Sequence, residues 1–407
     1  MRVLQINTDV NTGSTGRVAE DIGKLLIANG HKSYIAYGRG KRPSQSVLIS
    51  IGNHWDIINH GLKTAIFDRH GFGSVNATKA LIKEIDNIKP DAIGLHNLHG
   101  YYLNIEVLFD YLGKLNIPVI WTLFDCWAFT GHCSYFDDIN CKKWVTGCFS
   151  CPKTKKYPSS YFLDNSRRNF LDKKHLFTKV EKLHVVVHSQ WLKGLVEQSF
   201  LNIYPVHHIF SGIDLEVFMP VTDNSIKRKY DIVNKKIILG VASIWDTRKG
   251  LSDFIKLHKS FPNDYNLVLV GLTHKQIDAL PSGIIGIERT ENIHDLSALY
   301  SAADVFVNPT WQDNFPTTNI EALACGTPVI TYNTGGSPEA IDKQTGKIVE
   351  KGDIKSLMIA ITEVVENGKE PYRLLCRQRA EQLFNKDNQY MDYLKLYLEL
   401  NKSKNEF

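Results

Sequence analysis

The chain is 407 residues long, 43% hydrophobic and 22% charged, with a net charge of +5; it is too long for one compact α/β core and implies two domains of about 200 residues each. No run of about 18 apolar residues is present and Met1 leads straight into a strand-like segment rather than a signal peptide, so no transmembrane span is expected and the cytoplasm is. The charge is split, +8 over residues 1–210 and −3 over the rest, without the aromatic-and-basic stripe of a nucleic-acid binder; the basic half suits an anionic membrane face or a pyrophosphate-linked lipid, or is simply a solvated surface.

Residues 3–7 read as a short apolar strand, and Val18, Ile22, Leu25 and Leu26 share one face of a helix that ends at Asn29-Gly30. Further strands are predicted at 33–37, 92–95, 118–123 and 183–187, separated by helical stretches. The second half repeats the plan at 236–241, 267–270, 284–287, 305–308 and 329–332, with a helix over 295–302. Such alternation predicts doubly wound parallel sheets, whose ligands sit beyond the carboxyl ends of the strands. A hinge is expected within 210–220 and a polar tail over 401–407. The expected boundaries are 1–210, 211–385, and 386–407 for a final helix and tail.

The first loop, Asn11-Thr-Gly13-Ser-Thr-Gly16-Arg17, carries two glycines that would let the backbone approach a phosphate or sugar, although loop glycines usually just make turns. It is not the Gly-x-Gly-x-x-Gly pattern, and strand 33–37 ends without an acidic residue for an adenine ribose, so a nicotinamide dehydrogenase is a poor fit. His96 and His99 follow a strand end and are candidates for an acceptor side, or are ordinary hydrogen-bonded histidines. Asp125 and His132, in the run Asp125-Cys-Trp-Ala-Phe-Thr-Gly-His132, are polar candidates to work beside a sugar.

Five of seven cysteines crowd into 126–151, closing in the CxxC pair Cys148 and Cys151. In a cytoplasmic chain thiolate ligation of a structural zinc is better motivated than disulfides. Cys133, Cys141, Cys148 and Cys151 are the expected ligands; the alternative is reduced thiols in an ordinary loop, since the spacing is not that of a standard zinc ribbon.

Residues 240–250, Gly-Val-Ala-Ser-Ile-Trp-Asp-Thr-Arg248-Lys249-Gly, follow a strand and end in two cations. Residues 310–339 place Asp313 on a loop and Glu321 eight positions later, inside a short helix whose start Thr317 and Thr318 could cap and whose end suits Gly326. A helix start attracts anions, and carboxylates accept hydrogen bonds from hydroxyls. A ligand carrying both phosphates and hydroxyls fits, and a nucleotide-sugar is one.

With these motifs the chain resembles the retaining GT-B glycosyltransferases of family four: two Rossmann-like domains facing a central cleft. Residues 121–152 resemble a subset from bacterial capsule and colanic-acid assembly. The family's Glu-x7-Glu pair stands here as Asp313-x7-Glu321. The resemblance implies that Glu321 holds the donor ribose and Asp313 the donor sugar. Backbone groups of Asn314, Phe315, Thr317 and Thr318 would lie between them, Gly13 and Gly16 would stand near the donor, and Arg248 with Lys249 would neutralise its diphosphate. No cofactor is implied for the chemistry. The implied acceptor is a carbohydrate or an undecaprenyl-linked oligosaccharide at the inner membrane face. Three departures stand out: Phe124 replaces a His, Ser243 an Arg, and Pro316, which has no N–H, a Gly. They leave open a GT-B nucleotide-sugar epimerase and a non-catalytic sugar-nucleotide binder.

Overall fold

The computed structural model describes residues 1–233, 235–262 and 264–402; most of the polar tail expected over 401–407 lies outside them. The chain divides into two compact units, one of residues 1–210 with 387–407, the other of residues 211–386. Each is built on one parallel sheet.

The first unit's sheet has seven strands, β1 (Arg2–Asn7), β2 (Lys32–Tyr37), β3 (Val47–Ser50), β4 (Ala92–Leu95), β5 (Val119–Leu123), β6 (Leu183–Val187) and β7 (Val206–His208), in the order β3-β2-β1-β4-β5-β6-β7. Every pairing is parallel: Val3 faces Ser33 on one side and Ala92 on the other. The order reverses between β1 and β4, which opens a crevice there at the carboxyl ends. β1, β4, β5 and β6 are mostly apolar and almost wholly buried, as parallel strands covered by helices must be. The last helix, Lys386–Lys402, packs on this sheet. Tyr393 and Thr122 hydroxyls lie 3.1 Å apart, and a Cβ at Gly94 would stand 2.4 Å from the Tyr397 hydroxyl, so β4 needs glycine where the helix crosses.

The second unit's sheet has six strands, β8 (Lys236–Val241), β9 (Tyr265–Val270), β10 (Ile284–Ile287), β11 (Val305–Asn308), β12 (Val329–Tyr332) and β13 (Gly346–Val349), in the order β10-β9-β8-β11-β12-β13, all parallel. Its reversal falls between β8 and β11. Ile238, Leu267, Val305 and Ile330 form its core with Phe254, Leu357 and Ile361 from the covering helices.

The periodicity found ten strands and passed over β3, β7 and β13. All three are edge strands with half their residues or more at least partly exposed. Their sequences lack the continuous apolar run of a central strand, because an edge strand has less sheet to cover it.

Candidate functional site

In the second unit the loops leaving β8 and β11 meet at the point where the strand order reverses. The β8 loop is fixed first by its own chemistry. The Trp245 indole donates to Val270 O at 2.9 Å, and the Asp246 carboxylate accepts the backbone N–H groups of Arg248 at 2.9 Å and Lys249 at 3.2 Å, capping the single turn Thr247–Lys249. Gly250 follows at φ +77°, and a Cβ there would stand 2.2 Å from Pro309 O. Only glycine lets the two loops touch at this point.

That contact brings the charges together. Lys249 Nζ donates to Asp313 Oδ2 at 2.5 Å, with both side chains mostly covered, and Arg248 Nη1 donates to Gln312 O at 3.2 Å. Arg248 O in turn accepts the Trp311 N–H at 2.7 Å and the Thr310 hydroxyl at 3.2 Å. Asp313 is held from the other side by the β12 loop, where Gly335 at φ +55° leaves no room for a Cβ beside Asp313 O. A fully buried Asp253 accepts both the Trp311 indole at 2.9 Å and the Tyr332 hydroxyl at 3.1 Å. Asp246, Gly250, Asp253, Trp311 and Gly335 thus position the site. Glycines before and after strands were the only trace of this in the sequence.

Glu321 lies on the helix Thr317–Ala324, buried, its Oε2 accepting the Tyr300 hydroxyl at 2.8 Å. Burial and the Glu321 charge push the Tyr300 phenol well above its ordinary value, so it stays a donor. The same helix is bolted to β11 and to the β12 loop. The Asn319 amide accepts from Asn308 at 2.8 Å and donates to Ser337 O at 3.1 Å. Asn314 and Phe315, in the loop before it, are buried, while Thr317 and Thr318 are half-buried.

The expected cap is corrected. The helix starts at Thr317 with Pro316 in the capping position and no side-chain cap bond, so Thr317 and Thr318 are its first two helical residues. Proline's fixed φ, here −70°, already sets the entry into the helix. At the other end Gly326, φ +73°, donates to Leu323 O and Thr327 N to Ala322 O, each at 2.9 Å, the paired bonds of a Schellman stop.

In the first unit the loop after β1 is shorter than expected, because a helix already spans Gly13–Ala28. Gly13, at φ +64°, has open space beside it. Gly16 is buried, and a Cβ there would stand 3.0 Å from Asp9 O; its bareness serves the chain's own close approach.

At the carboxyl ends of β4 and β5 lies a pocket walled by His96, His99, Phe124, Asp125 and Trp127. His99 is bonded at both ring nitrogens: Nε2 lies 2.7 Å from Asp125 Oδ2 and Nδ1 2.9 Å from the Tyr157 hydroxyl. The Asp125 Oδ1 accepts Trp127 N–H at 2.9 Å. Burial alone would raise the Asp125 pKa, but the charge and hydrogen bond of His99, with that N–H, hold it below the ordinary carboxylate value. His96 is buried against Gln5 at 2.8 Å, and burial lowers its pKa to about 3, keeping the imidazole neutral. Phe124 presents its ring to His96 and His188.

His132 does not join Asp125 in this pocket. It is fully enclosed, Nδ1 2.5 Å from Asp68 Oδ1 and Nε2 3.4 Å from Lys156 O. Burial opposes its charge, yet the hydrogen bond and charge of Asp68 raise its pKa. Its role beside a sugar is corrected to that of an internal pair, made by a partner 64 residues away that no local pattern reveals.

The cysteine expectation is corrected as well. Cys133, Cys141, Cys148 and Cys151 line one apolar pocket with Phe136, Trp144 and Phe149. All are free thiols, and among the described residues no group of three or more His, Cys, Asp or Glu is placed to hold a metal ion. The thiols have other partners: Cys148 Sγ accepts the Gly131 N–H at 3.2 Å. Cys133 and Cys151 are hydrogen-bonded, which raises Cys133 well above and brings Cys151 down to about 7.

Residues 235–367, which contain both charged loops of the second unit, match the family model described as Glycosyl transferases group 1. WcaC of Escherichia coli (strain K12), named as a colanic acid biosynthesis glycosyl transferase, is 27% identical over 389 residues, covering 88% of this chain and 89% of WcaC. Among solved structures, sucrose-phosphate synthase of Thermosynechococcus elongatus aligns with a TM-score of 0.74 at 17% identity over 99% of both chains. Anabaena HepE in complex with UDP aligns with a TM-score of 0.68 at 14% identity over 98% of this chain and all of that one. At such identities the structures speak for the fold, which is GT-B: two α/β units, each on one parallel sheet. Residues 235–367 are therefore similar to the Glycosyl transferases group 1 family, within a chain whose fold is GT-B.

Proposed function

We propose that the protein is a retaining glycosyltransferase that moves a sugar from a nucleoside-diphosphate-sugar to a carbohydrate or undecaprenyl-linked acceptor in bacterial surface polysaccharide assembly. The observation that carries this reading is the meeting of the β8 and β11 loops, where Lys249 and Asp313 stand 2.5 Å apart beside Arg248. Two cations and a carboxylate at one switch point suit a ligand with a diphosphate at one end and hydroxyls at the other.

Cleavage of the anomeric C–O bond leaves its electron pair, and hence new negative charge, on the departing diphosphate. Arg248 and Lys249 stabilise that charge more in the transition state than in the bound donor. Asp313 orients the sugar hydroxyls and Glu321 the ribose, with Asn314, Phe315, Thr317 and Thr318 lining the way between. The acceptor hydroxyl attacks from the leaving group's side and gives its proton to a phosphate oxygen, so retention needs no protein nucleophile. Asp125 works beside a sugar. The enzyme works in the cytoplasm with peripheral contact to the inner membrane. The likeness of fold to HepE with UDP makes uridine donors the first to try.

The test is a thermal-shift screen of UDP-, GDP-, ADP- and dTDP-sugars with their nucleoside diphosphates, followed by transfer assays with the best donor. A rise in Tm for one nucleotide series is expected. No rise with any donor, followed by no transfer, overturns the reading.

A further inference from the structure

The helix His54–Phe67 inverts the usual arrangement of a surface helix. Its capping box is intact, with Asn53 accepting from Trp55 and Asp56 N–H groups. Its polar residues His60 and Thr64 point inward, and the His60 Nε2 accepts from Gly71 at 3.0 Å and Gly73 at 3.3 Å. Trp55, Leu62 and Ile66, which recur at seven and four residues on the opposite line of the helix, face outward; Trp55 is 71% and Leu62 55% exposed. Phe67 extends this face at the helix end.

A second segment continues the face. Tyr161 N–H donates to Ala65 O at 2.9 Å and Asn165 Nδ2 to Phe67 O at 2.7 Å, which lays Tyr161, Phe162 and Leu163 beside the end of the helix, all exposed, Phe162 at 76%. The flanks of this segment are basic: Lys155 and Lys156 precede it, Arg167 and Arg168 follow it, and all four are exposed. A run of exposed aromatic and aliphatic side chains bordered by cations is costly in water and fits one kind of partner well. Apolar groups enter the headgroup boundary, aromatic rings settle at that depth, and lysines and arginines meet lipid phosphates. The first unit's excess of positive charge has the matching sign.

We propose that this face, Trp55, Leu62, Ile66, Phe67 and Tyr161 to Leu163, docks the protein on an anionic lipid bilayer. It deepens the reading of the protein as a transferase with a lipid-linked acceptor, and rests on it only for purpose. The same chain segment that reaches the face begins at Tyr157, whose hydroxyl meets His99 at the Asp125 pocket. A lipid-linked acceptor held in the bilayer thereby has a short path to that pocket.

The experiment is co-sedimentation of the purified full-length protein with vesicles of phosphatidylcholine and phosphatidylglycerol, against phosphatidylcholine alone. The wild type is expected to pellet with the anionic vesicles, less so as salt is raised. The double variant Trp55→Ser with Phe162→Ser is expected to lose at least tenfold in partitioning without change in Tm. Lys155→Glu with Lys156→Glu is expected to lose the preference for anionic lipid. Leu374→Ser, at a 64% exposed leucine of the second unit, serves as the control that keeps binding. Wild type that stays in the supernatant overturns the proposal, and so does a double variant that pellets like wild type. Sedimentation equilibrium that gives a wild-type dimer and a monomeric double variant assigns the face to a second copy of the chain instead. Transfer to a water-soluble acceptor, measured without vesicles, separates the two readings: transfer with no vesicle binding removes only the docking face, whereas binding without transfer removes only the transferase.

Discussion

The switch point of the second unit is charged, whereas the pocket at the ends of β4 and β5 in the first is aromatic. Between β8 and β11, Lys249 is paired with Asp313 and Arg248 leans on Gln312, all held by backbone contacts that only glycine permits. At the ends of β4 and β5, one carboxylate, Asp125, is held by His99 and Trp127 among tilted and edge-on rings. The lesson is that the same sheet order carries different side chains at different strand ends. Under the proposed transfer, a departing diphosphate calls for fixed cations, whereas an attacking hydroxyl calls only for orientation and exclusion of water.

The contrast is broken first at the charged site. Lys249→Ala should cut transfer by about a thousandfold, since it removes a preorganised cation from developing phosphate charge; initial rates with the identified donor decide it, and a loss under tenfold would mean that Lys249 serves only to hold Asp313. Next in size is the internal pair of the first unit. Asp68→Asn should cost about 3 kcal/mol of stability by leaving His132 buried without its counter-charge. The His132 pKa is raised in the fold, so the pair's stabilisation is complete below about pH 6.5 and is lost as pH rises through the folded value. Melting curves from pH 5.5 to 9 should slope accordingly in the wild type, and the slope should vanish in the variant.

Glu321→Gln should weaken nucleotide binding and turnover together by about 30-fold, near 2 kcal/mol for hydrogen bonds to a charged group. The amide oxygen can still accept from Tyr300, so Tm without ligand should stay put. An unchanged ligand-induced shift would remove Glu321 from the donor site. The smallest effect belongs to the aromatic pocket, where His99→Gln should reduce turnover about tenfold at neutral pH, the order of a lost positioning contact. Asp125 is depressed in the fold, so its charge is complete above the ordinary carboxylate value and is lost only as pH falls through the lowered one. Without His99 the acid limb of the rate profile should move to higher pH, and an unmoved limb would separate Asp125 from the reaction.

Much of the fold was legible because it rests on burial. The central strands β1, β4, β5, β8, β9, β11 and β12 are covered on both faces and read as mostly apolar runs. The edge strands β3, β7 and β13 escaped, since their pairing is chosen by the sheet and not by their own residues. The charged site was legible as candidates, as Arg248, Lys249, Asp313 and Glu321 cluster in two short segments at strand ends. Their fixing was not: Asp253 lies 58 residues from Trp311, with which it bonds. The cysteines and His132 misled for one reason. Crowding in sequence fixes neither whether thiols that share a pocket stand at ligand distance from one point nor whether an imidazole meets solvent.

By itself, the sequence determined two α/β units with parallel sheets and the identity of the charged residues at the ends of β8 and β11. These follow from periodicity and local backbone freedom, which operate over a few residues. Tertiary structure alone decided the return of the last helix to the first unit's sheet. It also decided the enclosure of His132 by Asp68, the His99–Asp125 pocket, and the outward turn of Trp55, Leu62 and Ile66. Each of these depends on which distant surface occupies a given face, and that is set by packing across the whole unit.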